Sequence, residues 1–167
     1  MADSKFGWPE ARLCRAEGIP FARSIYTRYH MPHAKPLCKI LTVDDQMGID
    51  SFFYEFFSVR NYEVFNATSG KEAIRLVEKE RPKIVLLDIN MGRGMDGIEV
   101  LKQIKAIDKN IVVIMVTGVK DDDTINKALD AGADDYITKP LSLEYLEKVV
   151  LLKFVNSQIK ELGRDMA

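Results

Sequence analysis

Asp88 closes the apolar run Lys83-Ile-Val-Leu-Leu-Asp88. Four consecutive aliphatic residues, Ile84 to Leu87, predict a strand buried on both faces, as in a parallel sheet. Open α/β sheets bind ligands outside the carboxyl ends of their strands, which is where this carboxylate falls. Asp44 and Asp45 end a second run, Lys39-Ile-Leu-Thr-Val43, and Thr117 ends a third, Ile111-Val-Val-Ile-Met-Val116. Lys139 follows Tyr136-Ile137 and precedes Pro140. Side by side, these runs bring three carboxylates, a hydroxyl and an ammonium into one cleft. A hard divalent cation such as Mg2+ takes oxygen ligands and keeps several waters, so one or two carboxylates suffice to hold it. An aspartate beside it can attack phosphorus and form an acyl phosphate. The incoming oxygens need neutralising charge, which the cation and Lys139 would supply, and Thr117 can donate to one of them.

The elements that must position these groups follow from two alternating periods. Apolar runs at Leu37–Val43, Tyr62–Ala67, Lys83–Asp88, Ile111–Val116 and Asp135–Ile137 alternate with helical spacing over about 47–60, 70–80, 97–107, 121–131 and 142–160. Five (βα) units predict a doubly wound α/β fold, a parallel sheet with helices on both faces. Asn61 suits a left-handed position before the second strand. Ser69 and Glu72 have the spacing of a capping box. Gly132 follows the fourth helix and Ser142 precedes the fifth. In the first helix, Ile49, Phe52, Phe53, Phe56 and Phe57 share one arc, which reads as a core face.

The chain has 167 residues, 47% of them hydrophobic and 29% charged, as in a globular protein. Its net charge of -1 gives no reason to expect nucleic acid or a membrane surface as a direct partner. Residues 1–36 carry six Lys/Arg against three Asp/Glu, while the remainder has 18 against 22. That first segment, broken by glycine and proline, reads as an N-terminal extension, flexible or partly packed. Residues 37–160 form the domain, and 161–167 a C-terminal tail. The two cysteines, Cys14 and Cys38, lack the spacing of a disulfide framework or metal site, which fits a reducing cytoplasm.

Leu37 to about Gln158 resembles the receiver domain of two-component response regulators, of the chemotaxis-type single-domain kind. The matching stretches are Val43-Asp-Asp45, Leu86-Leu-Asp-Ile-Asn-Met91, Met95-Asp-Gly97, Val116-Thr-Gly118 and Ala131-Gly-Ala-Asp-Asp-Tyr-Ile-Thr-Lys-Pro140. The resemblance implies a flavodoxin-like (βα)5 sheet in the order 2-1-3-4-5. It implies that Asp88 accepts phosphate from a phosphohistidine, on a sensor histidine kinase or a phosphotransfer protein. It implies Asp45 and Asp88 as Mg2+ ligands, Asp44 acting largely through water, and the Asn90 carbonyl as a further ligand. Thr117 and Tyr136 match the family's switch pair, and Lys139 its phosphate-binding lysine. A cis Lys139–Pro140 bond is expected on the same ground, because only X-Pro bonds adopt cis cheaply. The resemblance also implies that Asn90 and Val119 occupy positions that tune self-dephosphorylation in the family.

Two departures stand out. The loop Met91-Gly-Arg-Gly-Met-Asp-Gly97 replaces a usual Met-Pro step and is one residue longer, which predicts a more flexible loop. Gln46 stands where a third acid is frequent, which predicts weaker metal binding.

The stretch after Ser142 fills one helix, which predicts a stand-alone cytoplasmic receiver that signals to an output protein by contact. It would be no enzyme beyond self-catalysed phosphotransfer and dephosphorylation. The alternative is a receiver fragment of a larger transcriptional regulator or hybrid kinase. An aspartyl-phosphate phosphatase would need an acid where Asn90 stands, and a phosphate-blind binding module would not keep all five site residues.

The fifth helix is expected to carry two apolar stripes. Leu143, Leu146, Val150 and Phe154 would pack on the sheet. Tyr145, Val149, Leu152 and Ile159 would form a homodimer or partner interface, or be covered by residues 1–36.

Overall fold

A computed structural model of the chain describes residues 35–46, 48–92, 95–118 and 122–165. The elements run β1 (Lys39–Val43), α1 (Ile49–Ser58), β2 (Glu63–Ala67), α2 (Gly70–Glu80), β3 (Ile84–Asp88), α3 (Gly97–Ile107), β4 (Val112–Thr117), α4 (Asp122–Asp130), β5 (Asp135–Thr138) and α5 (Leu143–Asp165). The strands form one sheet in the order β2-β1-β3-β4-β5, every pairing parallel. This is the flavodoxin-like arrangement, with its chain reversal between β1 and β3.

Why the central strands read as unbroken aliphatic runs is visible in the packing. Ile84 and Leu86 of β3 point into one apolar cluster with Phe53 and Phe57 of α1 and Leu146 and Val150 of α5. Val85 and Leu87 point into the other, with Ala73 and Val77 of α2, Val100, Leu101 and Ile104 of α3 and Ala128 of α4. Successive strand residues face opposite sides. A strand covered by helices on both faces therefore needs apolar residues at every position, and all five of β3 are buried. Of the α1 phenylalanines, Phe53 and Phe57 are buried and Phe56 packs partly buried against them, but Phe52 is 42% exposed and falls outside the expected core face. Phe57 lies edge-on to Tyr62 at 5.6 Å between ring centroids.

Local signals act largely as their residue types dictate. Asn61 takes φ 64 and Gly132 φ 102, both left-handed. Ser69 caps α2 by accepting from the Glu72 N–H at 3.4 Å. The Glu72 carboxylate reaches back to Thr68, accepting from its N–H at 3.0 Å, rather than to the capping serine's own N–H. Lys105 of α3 donates to Asp134 at 2.6 Å and to the Ile111 carbonyl at 2.7 Å, and Asp134 also accepts from the Val113 N–H. That network ties the start of β5, the strand leading to Lys139, to its neighbours.

Two boundaries differ from the sequence expectation. Lys35 and Pro36, expected in the extension, belong to the domain's compact unit. The Leu37 N–H donates to the Asn61 carbonyl at 2.8 Å, and the Asn61 side chain donates to the Lys35 carbonyl at 3.1 Å. At the other end, the expected tail 161–167 is helical through Asp165. No proline or left-handed residue interrupts α5, so its backbone hydrogen bonds simply continue. Residues 1–34, with Cys14, lie outside the described part. Cys38 is a free, buried thiol, which burial pushes up to about 12 although Lys83 opposes the shift. It is therefore a core residue rather than a reactive one. Among the described residues, no helix is long and apolar enough to cross a membrane.

Candidate functional site

Strand register builds the site. Val43 pairs with Leu87, so Asp44, the next residue after Val43, comes level with Asp88 at the end of β3. Asp88 pairs with Val116, so Thr117 stands one step beyond it on the other side. Thr117 pairs with Thr138, and the Lys139 N–H donates to the Thr117 carbonyl at 2.7 Å, which holds the lysine at the same edge. The Lys139–Pro140 bond is cis.

Asp44 and Asp88 are each only 2% exposed, and Thr117 is fully buried. The Lys139 ammonium bridges the two acids, donating to Asp44 Oδ2 at 2.8 Å and Asp88 Oδ2 at 2.9 Å. Burial by itself lowers the basicity of Lys139. Its hydrogen bonds to Asp44 and Asp88, with their charges, outweigh that and hold it above its ordinary value of 10.5. Backbone groups take the other oxygens: the Gln46 N–H donates to Asp44 Oδ1 at 2.9 Å and the Asn90 N–H to Asp88 Oδ1 at 3.2 Å. These two bonds fix the carboxylate planes before any ligand arrives.

Asp45 is the exposed member of the set. One oxygen from each of Asp44, Asp45 and Asp88 lies within 4.8 Å of the others. Three carboxylates against one ammonium leave excess negative charge at a point open to solvent on one side. Hard, anionic oxygen donors at this spacing fit a divalent cation such as Mg2+.

The elements around the site also show what residue-type reasoning missed. Gly92 has φ 34, and a Cβ there would lie 2.5 Å from Asp45 Oδ2. A Cβ on Gly97 would run into the Asp88 carbonyl, so only glycine lets α3 start this close to the end of β3. The glycines in the loop were legible; the carboxylate and carbonyl they must clear were not. Arg93, Gly94 and Val119 lie outside the described residues, so the expected loop flexibility and the role given to Val119 do too.

The remaining expected residues fall as follows. Asn90 is exposed beside Asp88. Tyr136 is 38% exposed on β5, two strand positions before the residue paired with Thr117. On α5, Tyr145 and Leu152 are exposed at 52% and 59%, but Val149 is 7% exposed and belongs to the core. Val149 is therefore not part of the outer stripe. At about 100° per residue it lies 60° from Leu146, and a core-facing arc at least 100° wide takes it in.

Residues 40–151 match the family described as the response regulator receiver domain. The sporulation initiation phosphotransferase F of Bacillus subtilis is 43% identical over 112 residues, covering 67% of this chain and 90% of that protein. The response regulator MprA of Mycolicibacterium vanbaalenii is 36% identical over 108 residues, covering 65% of this chain and 46% of the relative. This chain thus spans nearly all of the first and about half of the second. Among solved structures, a CheY-like response regulator receiver domain protein from Methanospirillum hungatei superposes with a TM-score of 0.70 at 30% identity, covering 73% of this chain and 97% of that one. NtrX from Brucella abortus superposes at 0.74 with 27% identity, covering 78% of this chain and 30% of that one.

Proposed function

The chain belongs to the response regulator receiver domain family, and from that premise we propose that Asp88 is its phosphoacceptor. The donor is a phosphohistidine on a sensor histidine kinase or a phosphotransfer protein, and the output is a protein contact. The observation that carries the reading is the Lys139 ammonium held between two buried strand-end carboxylates, Asp44 and Asp88. An ion-pair cluster so placed has no packing role that apolar residues would not fill better.

In the transfer, an Asp88 carboxylate oxygen attacks phosphorus. The O–P bond forms as the N–P bond breaks, and the electron pair leaves with the imidazole nitrogen. Lys139, with three donors, keeps Asp44 and exchanges its bond to Asp88 for one to a phosphoryl oxygen. Thr117 turns its hydroxyl to another. Asp44, Asp45 and Asp88, with the Asn90 carbonyl, would hold Mg2+, which when bound neutralises charge building on the phosphoryl group. The space left by Thr117 lets the Tyr136 ring turn in from the surface, so a local charge biases a two-state element. Loss of phosphate is hydrolysis at the same aspartate, with no other substrate turned over.

The test is labelling by acetyl phosphate. The protein gains one phosphate with Mg2+ and none with EDTA, and Asp88→Ala gains none under either condition. Equal labelling of Asp88→Ala refutes the assignment. A second reading, that the chain is the receiver part of a larger regulator, is favoured by one observation: it covers 46% of MprA and 30% of NtrX.

A further inference from the structure

The face of α5 that packs on the sheet changes character halfway along. Leu146, Val149 and Val150 are buried in the core. At about 100° per residue, Lys153, Asn156, Ser157 and Lys160 continue the same arc, roughly 120° wide. An aliphatic stripe thus becomes cationic and polar. There a cleft of about 460 Å3 opens between these four side chains and the turn at Lys109 and Asn110 before β4. Val112 begins β4 and Thr117 ends it, so the cleft lies at the opposite edge of the sheet from Asp88, about 17 Å away along the strand.

Charge in the cleft is unbalanced. Among the described residues, the only carboxylate lining it is that of Asp134. That group accepts from Lys105 Nζ at 2.6 Å and from the Val113 N–H at 2.8 Å, so its charge is already met. Lys153 is occupied as well, donating to the Asp134 carbonyl at 2.6 Å and pairing with Asp135 at 3.0 Å. The neighbouring Asp108 accepts from the Asn110 N–H at 2.8 Å. Lys109 and Lys160 remain. Both are exposed, and among the described residues neither has a carboxylate within ion-pair distance. Two ammoniums that reach one concave site from different elements, with no anion to answer them, make it locally positive although the whole chain is not.

We propose that this cleft binds a small phosphomonoester, its dianionic head held by Lys109 and Lys160. Ammonium groups bind phosphate oxygens as point charges and need no bidentate geometry. Two of them match the two charges that the head carries above its second pKa of about 6. The Asn156 amide supplies a further donor. A bare phosphate would fill only a small part of the cleft, and Val112 and Ile159 add apolar surface for an organic group. The volume falls within the usual range for small-ligand sites, about 300–1,000 Å3. None of the acids, the hydroxyl or the ammonium of the phosphoacceptor site takes part, so the proposal stands or falls apart from that reading.

The experiment follows the backbone amides of the full chain by two-dimensional nitrogen–proton NMR while phenyl phosphate is added. It is run in EDTA at about pH 8, where the probe is a dianion. Without a metal the three carboxylates around Asp88 repel an anion, so that site does not compete for the probe. The amides of residues 109–112 and 153–160 shift and saturate, with Kd on the order of 1 mM. Lys109→Gln/Lys160→Gln weakens binding about tenfold or more. Both side chains are exposed, so this variant keeps the parent's remaining spectrum and its labelling by acetyl phosphate. Benzoate and phenol, which carry one charge and none at this pH, bind more weakly than phenyl phosphate, and so does inorganic phosphate, which lacks the ring. No saturating shift at these amides up to about 20 mM overturns the proposal, as does saturation elsewhere in the chain alone. Binding undiminished by the double substitution overturns it too. Benzoate or phenol binding as tightly as phenyl phosphate refutes the dianionic head, and inorganic phosphate binding as tightly refutes the ester.

Discussion

Replacing Lys139 by methionine keeps the side-chain length and removes the charge. It leaves Asp44 and Asp88, both nearly buried, facing each other without the ammonium that now lies 2.8 and 2.9 Å from them. Each contact has a gross attraction of about 5–6 kcal/mol at an effective dielectric of about 20, and desolvation of the three groups offsets most of it. Breaking a buried pair by removing one partner costs about 3–5 kcal/mol. The lower end applies here, because the Lys139 side chain keeps 19% exposure and Asp45 opens the cluster to water. A loss of about 3 kcal/mol lowers the melting temperature by roughly 10 °C in a domain of this size. The pH dependence follows from the raised basicity of Lys139. A cation held above its ordinary value stabilises fully below the unfolded value, and that contribution disappears as pH rises through the folded one. The gap between the chain and Lys139→Met therefore persists through neutral pH and closes above about pH 10.5. Mg2+ narrows it too, because the cation takes over part of the neutralisation, yet labelling by acetyl phosphate stays low. Calorimetry in EDTA and in Mg2+, across the pH range, measures all of this. A variant melting within about 2 °C of the parent at neutral pH in EDTA would falsify the electrostatic reasoning.

Asp45→Ala removes the exposed donor, so Mg2+ no longer raises the melting temperature; at a hundredfold excess over Kd that rise is worth about 2.7 kcal/mol in the parent. Gly92→Ala puts a methyl where the Asp45 carboxylate lies, and titration calorimetry should show Mg2+ bound at least tenfold more weakly with the fold intact. Phe57→Ala empties a fully buried position between the sheet and α1 and costs about 3–5 kcal/mol in urea unfolding. Asn90 can hold a water in line with the acyl phosphate, so Asn90→Ala, and separately Val119→Glu, should change the decay rate of phosphorylated protein followed by radiolabel loss. No change in either discards that role.

Much of the arrangement was written in one dimension. A strand covered on both faces must be apolar at every position, so β3 and β4 announced themselves as unbroken aliphatic runs, and their alternation with helical periods required a parallel sheet. The acids, Thr117 and Lys139 were legible because each sits at the end of such a run, and in a parallel sheet all those ends share an edge. The strand order came from resemblance rather than from periodicity, which does not say which strands are neighbours. Register brought Asp44 level with Asp88, and the ammonium of Lys139 then had both carboxylates within reach. The clearance that Gly92 gives Asp45, the burial of Val149 and the continuation of α5 through Asp165 were decided only in three dimensions. Each depends on a distance between segments far apart in the chain, or on how wide an arc of a helix its neighbours cover. Angular spacing along one helix places Val149 near the boundary of its two faces. Only the sheet and α1 packed against it determine on which side of that boundary it falls.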